Sequence, residues 1–355
     1  MKATKQEISR IDRLYGERQP FFGELHDHSV IGDGKCTLAQ WRQGMEEKGI
    51  DFATIVDHRI VEHMYHHDFI DGLFLGGTEP ATRILDMPGE IAFDGKMHYN
   101  MIHHDPEAIR TIYKEFEEYK YAGGIKDKAC YPYPRFTRER FKMIVDRLYE
   151  LGGFLVHPHP SSKMKSDDPT DYWFIDGMGI EIRNTYQHDR FEWQRQKDYE
   201  VWTNLLKAGK RVFATFGCDE HDVPSDRNLN TLYATRRSSK CYLDVLKSGD
   251  FNTGAVGIQM CVGETTMGGK TSFEGQRLIV RVGDFHRSVL KQAPTLRLEL
   301  YAGEKRIYKA PVPLGETKYF AFDLKADAPY VRVELRDSAN GGYLIAAGNP
   351  IWNEL

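Results

Sequence analysis

Two histidines stand two residues apart near the start of the chain, at the end of an extended segment. The segment Phe22–Gly34 reads Phe-Gly-Glu-Leu-His-Asp-His-Ser-Val-Ile-Gly-Asp-Gly, and it also contains Asp33. Alternate side chains of a strand share a face, so we expect His26 and His28 to converge on one point while Asp27 faces away. Imidazole and carboxylate together are ligands of zinc, manganese and iron, but a single His-x-His pair is a weak signal.

Further candidate ligands stand at or just after the ends of segments that have the length of strands. These residues are His58, Glu79, His98, His157, Asp219 and His221. In α/β folds the chemistry takes place at the carboxyl ends of the strands, where most of these residues are predicted to stand. Together they are a much stronger signal than any single pair.

Strand and helix patterns alternate over the first two thirds of the chain, which predicts an α/β fold with a parallel sheet. A capping box that begins at Thr37 predicts a helix over residues 37–48. After about residue 255 the pattern changes to alternating strands separated by Gly, Pro and Asp, which is typical of a small all-β sandwich. We therefore predict an α/β domain over residues 1–255 and a β-sandwich domain over residues 256–355.

The composition is ordinary for a globular protein, with 41% apolar residues, 28% charged residues and a net charge of −4. This charge gives no basic surface for nucleic acid, so we expect no nucleic-acid partner. Five scattered cysteines without a Cys-x-x-Cys motif indicate a reducing compartment. The sequence shows no secretory signal and no apolar run of about 18 residues, so we expect a cytoplasmic protein without membrane association.

The motifs resemble those of the polymerase-and-histidinol-phosphatase (PHP) family of metal-dependent phosphoesterases, over about residues 20–255. The resemblance rests on His26-Asp-His28-Ser-Val-Ile-Gly-Asp33-Gly34, Val56-Asp57-His58, Gly77-Thr78-Glu79, Met97-His98, Val156-His157-Pro158 and Cys218-Asp219-Glu220-His221. All nine ligand positions of the family are filled. The chain departs from the family pattern at Gly32, where Ser is usual, and at Cys218, where Ser is common.

The resemblance implies a distorted seven-stranded α/β barrel, similar to a TIM barrel, that holds two or three divalent ions of zinc, manganese or iron. It assigns the first metal to His26, His28, Glu79 and Asp219, the second to Glu79, His98 and His157, and the third to Asp33, His58 and His221. Glu79 would bridge two metals. Glu79, Asp219 and His221 would be the residues closest to catalysis, in which a metal-activated water attacks a phosphate ester.

Phosphate binding also requires cations or hydrogen-bond donors near the metals. Candidates that follow predicted strand ends are Arg59, Arg83, His159, Lys163 and Arg183. A position at the surface is the common alternative for such residues. The remaining histidines before residue 200 are expected at the surface: His63, His66, His67, His103, His104 and His188. Cys218 is expected to be a small buried residue rather than a nucleophile.

The sequence thus predicts a metal-dependent hydrolase that cleaves phosphate esters of a small-molecule or sugar-linked substrate. Two alternatives stay open. One is a non-catalytic module that binds a ligand or metal, and the other is a hydrolase of C–O or C–N bonds on the same metals, because fold does not fix substrate. The filled ligand set favours the enzyme.

The purified protein should carry two or three divalent ions per chain, because nine ligands exceed what one ion with about four to six ligands can use. Elemental analysis of gently purified protein checks this prediction. The absence of bound metal, together with no uptake of zinc, manganese or iron by the purified chain, would contradict it.

Overall fold

The computed structural model describes residues 2–86, 96–119, 134–162, 176–185 and 192–354. The chain is a mixed α/β protein that forms two compact units. The first, called the α/β unit below, comprises residues 23–228 and 237–243. The second, called the β-rich unit, comprises residues 1–22, 229–236 and 244–355. The predicted boundary between residues 255 and 256 stays a prediction.

The described residues contain seven α-helices and 22 strands. The helices are α1 (Lys5–Tyr15), α2 (Leu38–Lys48), α3 (Pro106–Glu115), α4 (Arg138–Glu150), α5 (Glu192–Lys207), α6 (Ser239–Ser248) and α7 (Arg287–Gln292). The first ten strands are β1 (Gln19–Asp27), β2 (Phe52–Ile55), β3 (Phe74–Thr78), β4 (Ala81–Ile84), β5 (Lys96–His98), β6 (Asn100–Ile102), β7 (Arg135–Phe136), β8 (Phe154–His157), β9 (Gly179–Asn184) and β10 (Phe213–Gly217). None of the helices in these residues is long and apolar enough to cross a bilayer.

The later strands belong largely to the β-rich unit. They are β11 (Asn230–Ala234), β12 (Phe251–Thr253), β13 (Val256–Val262), β14 (Thr265–Thr266), β15 (Lys270–Thr271), β16 (Arg277–Phe285), β17 (Leu296–Ala302), β18 (Lys305–Pro311), β19 (Lys318–Asp323), β20 (Tyr330–Asp337), β21 (Tyr343–Gly348) and β22 (Ile351–Asn353). The strands predicted after residue 255 correspond to β16, β17, β19 and β20.

Seven strands are hydrogen-bonded neighbours within one larger sheet, in the order β10-β9-β8-β6-β3-β2-β1. The runs β1-β2-β3 and β8-β9-β10 are parallel, but β6 is antiparallel to both of its neighbours. The prediction of a wholly parallel sheet is therefore wrong at β6. The chain passes from β3 to β6 through the antiparallel pair β4 and β5, and β6 enters the sheet in the opposite direction to β3.

The first and last strands of this order, β1 and β10, approach each other beyond their carboxyl ends. The backbone N–H of Asp219 donates to the carbonyl of His26 at 2.7 Å, and the N–H of His28 donates to the carbonyl of Glu220 at 2.9 Å. These bonds form an isolated bridge rather than a ladder of paired residues. Within the described residues the sheet is not closed, so the α/β class is confirmed and the predicted barrel is not.

The helix predicted over residues 37–48 is α2, and local residues set both of its ends. The side chain of Thr37 accepts a hydrogen bond from the backbone N–H of Gln40, and the Gln40 side chain accepts from the N–H of Thr37. Gly49 ends the helix with a left-handed φ of 71°, a conformation that residues with a side chain rarely adopt.

The buried face of α2 fixes the backbone of the histidine pair. Leu38, Trp41 and Met45 are fully buried on this face. The indole N–H of Trp41 donates to the carbonyl of His28 at 3.2 Å. A locally specified helix therefore holds the end of β1.

In the β-rich unit one series of neighbouring strands runs in the order β11-β12-β21-β20-β17-β18, and a separate four-stranded sheet runs in the order β14-β13-β16-β19. Residues from α1 and from four strands form one of its buried clusters: Ile11, Tyr15, Tyr233, Cys261, Ile279 and Ala321. The amino-terminal helix and β11 are thus part of this unit's core, although both precede residue 255 in sequence.

Replacing Trp41 with Phe should lower the free energy of unfolding by about 1–3 kcal/mol, because the buried carbonyl of His28 loses its indole donor and a gap remains beside the ring. Urea unfolding followed at equilibrium measures the change. Met143, which is half exposed on α4, provides the control, and Met143→Ala should change the stability by less than about 0.5 kcal/mol. Equal losses in the two variants would contradict the prediction.

Candidate metal centre

The two histidines of β1 converge on one point, as the alternation of strand side chains predicts. Their Nε2 atoms lie 3.3 Å apart, and both side chains are fully buried. A bulge interrupts the pairing of β1 between Glu24 and Asp27. Asp27 lies near Glu24 instead, where burial and the neighbouring carboxyl raise its pKa well above the ordinary value. The side chains of His26 and His28 are thereby separated from the carboxyl groups of Glu24 and Asp27.

Glu79, just past β3, and Asp219, just past β10, complete a first group of ligand atoms. Glu79 Oε2 lies 3.2 Å from the Nε2 atoms of both His26 and His28. Asp219 Oδ1 lies 3.5 Å from His26 Nε2 and 3.2 Å from His28 Nε2. Donor atoms about 2.1 Å from a tetrahedral ion lie roughly 3.4 Å from one another. The four side chains therefore have the spacing of one ligand set.

Glu79 also faces a second group of imidazoles. Its Oε1 atom lies 2.8 Å from His98 Nδ1 and 3.4 Å from His159 Nε2, while Oε2 lies 3.4 Å from His58 Nδ1. The Nε2 atom of His98 is buried and has no hydrogen-bond partner within the described part of the chain. Each oxygen of Glu79 is thus directed at a different set of ring nitrogens, as a bridging carboxylate requires.

A third group surrounds Asp33 on the more open side of the centre. Asp33 Oδ2 lies 3.5 Å from His221 Nε2 and 3.8 Å from His58 Nε2. The ring of His28 is stacked between the rings of these two histidines, with centroid distances of 4.3 Å to His221 and 4.7 Å to His58. The side chain of Asp33 is 30% exposed, whereas that of Glu79 is 1% exposed. Solvent therefore reaches the third group more readily than the first.

The carboxylates and imidazoles of the centre shift one another's pKa. Burial raises the pKa of Glu79, but the nearby imidazoles outweigh burial and bring it well below the ordinary value. Burial lowers the pKa of His28, but hydrogen bonds to Asp219 and Glu79 raise it to about 10. For His98 burial prevails and lowers the pKa to about 3. The centre thus favours positive charge beside its carboxylates, which a divalent ion can supply in place of protons.

The turn after β8 brings His159 to the Oε1 atom of Glu79, which His98 also contacts. His159 has a left-handed φ of 31°, and its ring centroid lies 5.8 Å from that of His26 and 5.4 Å from that of His98. The sequence predicts that this residue contacts substrate, and the resemblance to the PHP family assigns His157 to a metal. His157 is the last residue of β8 and is fully buried, and its role as a ligand stays a prediction.

The predicted phosphate-binding cations occupy three different settings. Arg59 directly follows His58, a member of the third ligand group, in sequence. It is buried and has a left-handed φ of 62°. Arg83 lies on β4, in a separate sheet with the order β5-β4-β7. Arg183 lies on β9, with its guanidinium carbon 5.0 Å from the centroid of the Phe216 ring, and burial together with a neighbouring arginine lowers its pKa to about 9. Lys163 lies outside the described residues, and substrate contact by any of these cations stays a prediction.

Two histidines expected at the surface are buried. His63 is fully buried with Nδ1 3.1 Å from Asp57 Oδ2, and His103 is buried with Nε2 2.9 Å from the carbonyl of Leu151. A buried imidazole is stabilised when a polar partner lies beside it, and Leu151 stands 48 residues from His103 in sequence. The surface expectation is therefore wrong for both residues, and His188 lies outside the described residues.

Sequence reasoning also missed Glu181 as a residue of the centre. It lies on β9, is fully buried, and has Oε1 3.1 Å from Nδ1 of His26. The available signal was its place near the carboxyl end of a strand, where Glu181 interrupts an apolar run. No recognised motif includes it.

No protein-family model matches the chain, and no curated protein matches it. Among solved structures, the chain is similar to a two-domain protein from Bacteroides vulgatus that contains a predicted PHP-like metal-dependent phosphoesterase. The two are 14% identical, with a TM-score of 0.43 and coverage of 95% of each chain. A protein from Bifidobacterium adolescentis assigned as a metal-dependent phosphoesterase is 15% identical, with a TM-score of 0.37 and coverage of 56% of this chain and 87% of that one.

The chain is also similar to endonuclease Q in a complex with a 27-mer duplex substrate that has an abasic lesion at the active site. The identity is 13%, the TM-score is 0.41, and the match covers 64% of this chain and 57% of that one. The solved structures that are similar to this chain thus include one described as PHP-like and another described as a metal-dependent phosphoesterase, which agrees with the resemblance of the sequence motifs. The expectation that nucleic acid is excluded as a partner is wrong, because endonuclease Q is matched with a duplex substrate. Net charge is a sum over all residues and does not describe the charge at one site.

Replacing His159 with Ala should lower the metal content, because its Nε2 atom lies beside Glu79 Oε1. Elemental analysis of His159→Ala and His157→Ala, each purified alongside the parent protein, checks this. Unchanged metal content in His159→Ala, with a loss in His157→Ala, would show that the sequence assignment holds and that the contact to Glu79 is not a ligand arrangement.

Proposed function

We propose that this chain, which resembles the PHP family, is a metal-dependent hydrolase that cleaves phosphate esters. The observation that supports this most is the position of Glu79. Its two oxygens face separate groups of imidazoles, with His26 and His28 at Oε2 and His98 at Oε1. A buried carboxylate in this arrangement can join two cations, which a site for one ion does not need.

The donor set fits divalent transition ions, because it combines buried imidazole nitrogens with carboxylate oxygens at ligand spacing. The residues proposed to hold them are His26, His28, Glu79 and Asp219 for one ion, Glu79 and His98 with His157 or His159 for another, and Asp33, His58 and His221 for a third. Bound ions would acidify a coordinated water and hold the negative charge that develops on a phosphorus.

Hydrogen bonds from neighbouring residues hold the strand ends that carry these ligands. The backbone carbonyl of Asp57 accepts hydrogen bonds from the N–H of Glu79 at 3.4 Å and from the hydroxyl of Thr78 at 3.0 Å. The carboxylate of Asp57 accepts from the N–H and the hydroxyl of Ser29, both at 2.6 Å. Asp57 therefore ties the ends of β1, β2 and β3 together, and the ligands need little rearrangement on binding.

Access to the centre favours a substrate that approaches the third ligand group. The side chains of Asp33 and His221 are 30% and 22% exposed, whereas Glu79 and His26 are almost completely buried. A phosphate ester is therefore proposed to enter beside Asp33 and His221. Of the predicted cations, Arg59 is the nearest in sequence to a member of the third ligand group, because it directly follows His58.

The cysteines support the predicted reducing, cytoplasmic environment. The described cysteines are Cys36, Cys218, Cys241 and Cys261, and no two of them form a disulfide with each other. Cys218 is completely buried, as the sequence predicts, and burial raises its pKa well above the ordinary value. It is therefore held as a neutral thiol and is unsuited to nucleophilic attack.

Protein reconstituted with zinc or manganese, and assayed on a panel of substrates, tests the proposed function. The panel should contain small phosphomonoesters, sugar phosphates, phosphodiesters and a duplex with an abasic lesion. We expect hydrolysis of at least one class, its loss on chelation and its recovery on metal addition. Bound metal without turnover of any phosphate ester would contradict the proposal and favour a binding module, and turnover of amides or carboxylic esters instead would favour a C–N or C–O hydrolase.

Replacing Glu79 with Gln should lower the metal content by more than His98→Ala does, because Gln keeps the shape but removes the negative charge between two cations. The hydrolysis rate should fall by about 100-fold or more, since the interaction lost acts on the charge of the transition state. Elemental analysis and saturation kinetics of both variants measure these effects. Equal metal content in the two variants, or hydrolysis by Glu79→Gln near the parent rate, would show that Glu79 does not bridge metals.

A further inference from the structure

Glu181 contacts two parts of the metal centre through different oxygens. Its Oε1 atom lies 3.1 Å from Nδ1 of His26. Its Oε2 atom accepts one hydrogen bond from the backbone N–H of His159 at 2.7 Å and another from the side-chain amide of Asn184 at 2.8 Å. The side chain is fully buried, so these contacts replace the water that a carboxylate otherwise binds.

The neighbouring strand β10 has a glycine where a side chain would collide with this carboxylate. Gly217 is the last residue of β10 and pairs with Asn184 of β9. A Cβ atom at residue 217 would lie 1.5 Å from Glu181 Oε1, and Gly217 has no left-handed φ that would itself require glycine. The space for Glu181 is therefore the reason that the strand has no side chain at this position.

We propose that Glu181 is a positioning residue of the metal centre, which keeps the Nδ1 proton of His26 directed at itself and holds the turn that brings His159 to Glu79. This inference rests on the proposed function, because it treats His26 Nε2 as a metal ligand. A carboxylate only accepts hydrogen bonds, so it requires an N–H on each side. An imidazole that donates from Nδ1 presents the lone pair of Nε2 to an ion.

The bond from the His159 N–H has a separate effect on the backbone. His159 has a left-handed φ of 31°, which is unfavourable for a residue with a side chain. A buried hydrogen bond to a carboxylate offsets this cost and holds the turn after Pro158. Glu181 thus joins a ligand on β1 to a histidine that follows β8.

Glu181→Gln separates this role from simple space filling, because the amide has nearly the same shape. Oxygen at the Oε2 position would satisfy His159 and Asn184 but direct the NH₂ group at Nδ1 of His26. The opposite orientation would direct the NH₂ group at two N–H donors. Neither orientation satisfies both sides, so we expect either loss of the metal-binding form of His26 or loss of the turn at His159.

The experiment compares zinc affinity, by competition with a chromophoric chelator, in the parent protein and in variants. Glu181→Gln should bind zinc at its tightest site about 10- to 100-fold more weakly. Asn184→Ala, which removes one donor to Oε2 and leaves the carboxylate, should cause a smaller loss. Asp198→Asn is the matched control, since Asp198 is a buried carboxylate of α5 that accepts from the N–H of Ser161 at 2.7 Å. Its zinc affinity should equal that of the parent.

Urea unfolding of the metal-free proteins distinguishes positioning from a structural role. If Glu181 had a purely structural role, Glu181→Gln would be less stable but would bind zinc as tightly as Asp198→Asn. This result would overturn the inference. If Glu181→Gln does not fold, the smaller change in Asn184→Ala decides, and parent-like zinc affinity in that variant would overturn it. Weaker zinc binding by Glu181→Gln in a protein that hydrolyses no phosphate ester would support the inference and contradict only the proposed function.

Discussion

The buried negative charge of Glu79 is the constraint on which the centre depends. A carboxylate that is 1% exposed pays a large desolvation cost unless positive charge lies beside it. The chain surrounds it with the imidazoles of His26, His28 and His98 at distances of 2.8–3.2 Å. Asp219 adds a second buried negative charge at the same point. Either protons on these rings or bound cations must balance the two carboxylates, and ligand spacing makes cations a suitable counter-charge.

The sheet satisfies this constraint because separate strand ends each contribute one part of the centre. His26 and His28 come from β1, Glu79 follows β3, and Asp219 follows β10. The hydrogen bond from the Asp219 N–H to the His26 carbonyl brings the last of these strand ends to the first. Two buried carboxylates that face the ligands hold them in position. Asp57 accepts hydrogen bonds from the backbone and hydroxyl of Ser29, and Glu181 contacts the imidazole of His26 and the backbone N–H of His159. The site is therefore rigid on its buried side and open beside Asp33.

The antiparallel strand β6 shows why alternation of strand and helix patterns is an incomplete guide to topology. The sequence pattern marks where strands occur, but the direction of a strand depends on the connection that precedes it. The antiparallel pair β4 and β5 lies between β3 and β6 along the chain, and β6 runs antiparallel to β3. In the same way α1 and β11 belong to the core of the β-rich unit, because packing depends on complementary apolar faces rather than on closeness in sequence.

The sequence by itself determined the features that depend on neighbouring residues. Thr37, Gln40 and Gly49 fix α2 through bonds within a few residues, and the two-residue spacing of His26 and His28 places both on one face of β1. Only the tertiary structure decided the features that depend on other strands. His159 reaches Glu79 through a left-handed turn, Glu181 occupies the space that Gly217 leaves, and His103 is buried against the carbonyl of Leu151. Each of these contacts joins residues from different strands or loops, and its energy arises only when the sheet has brought them together.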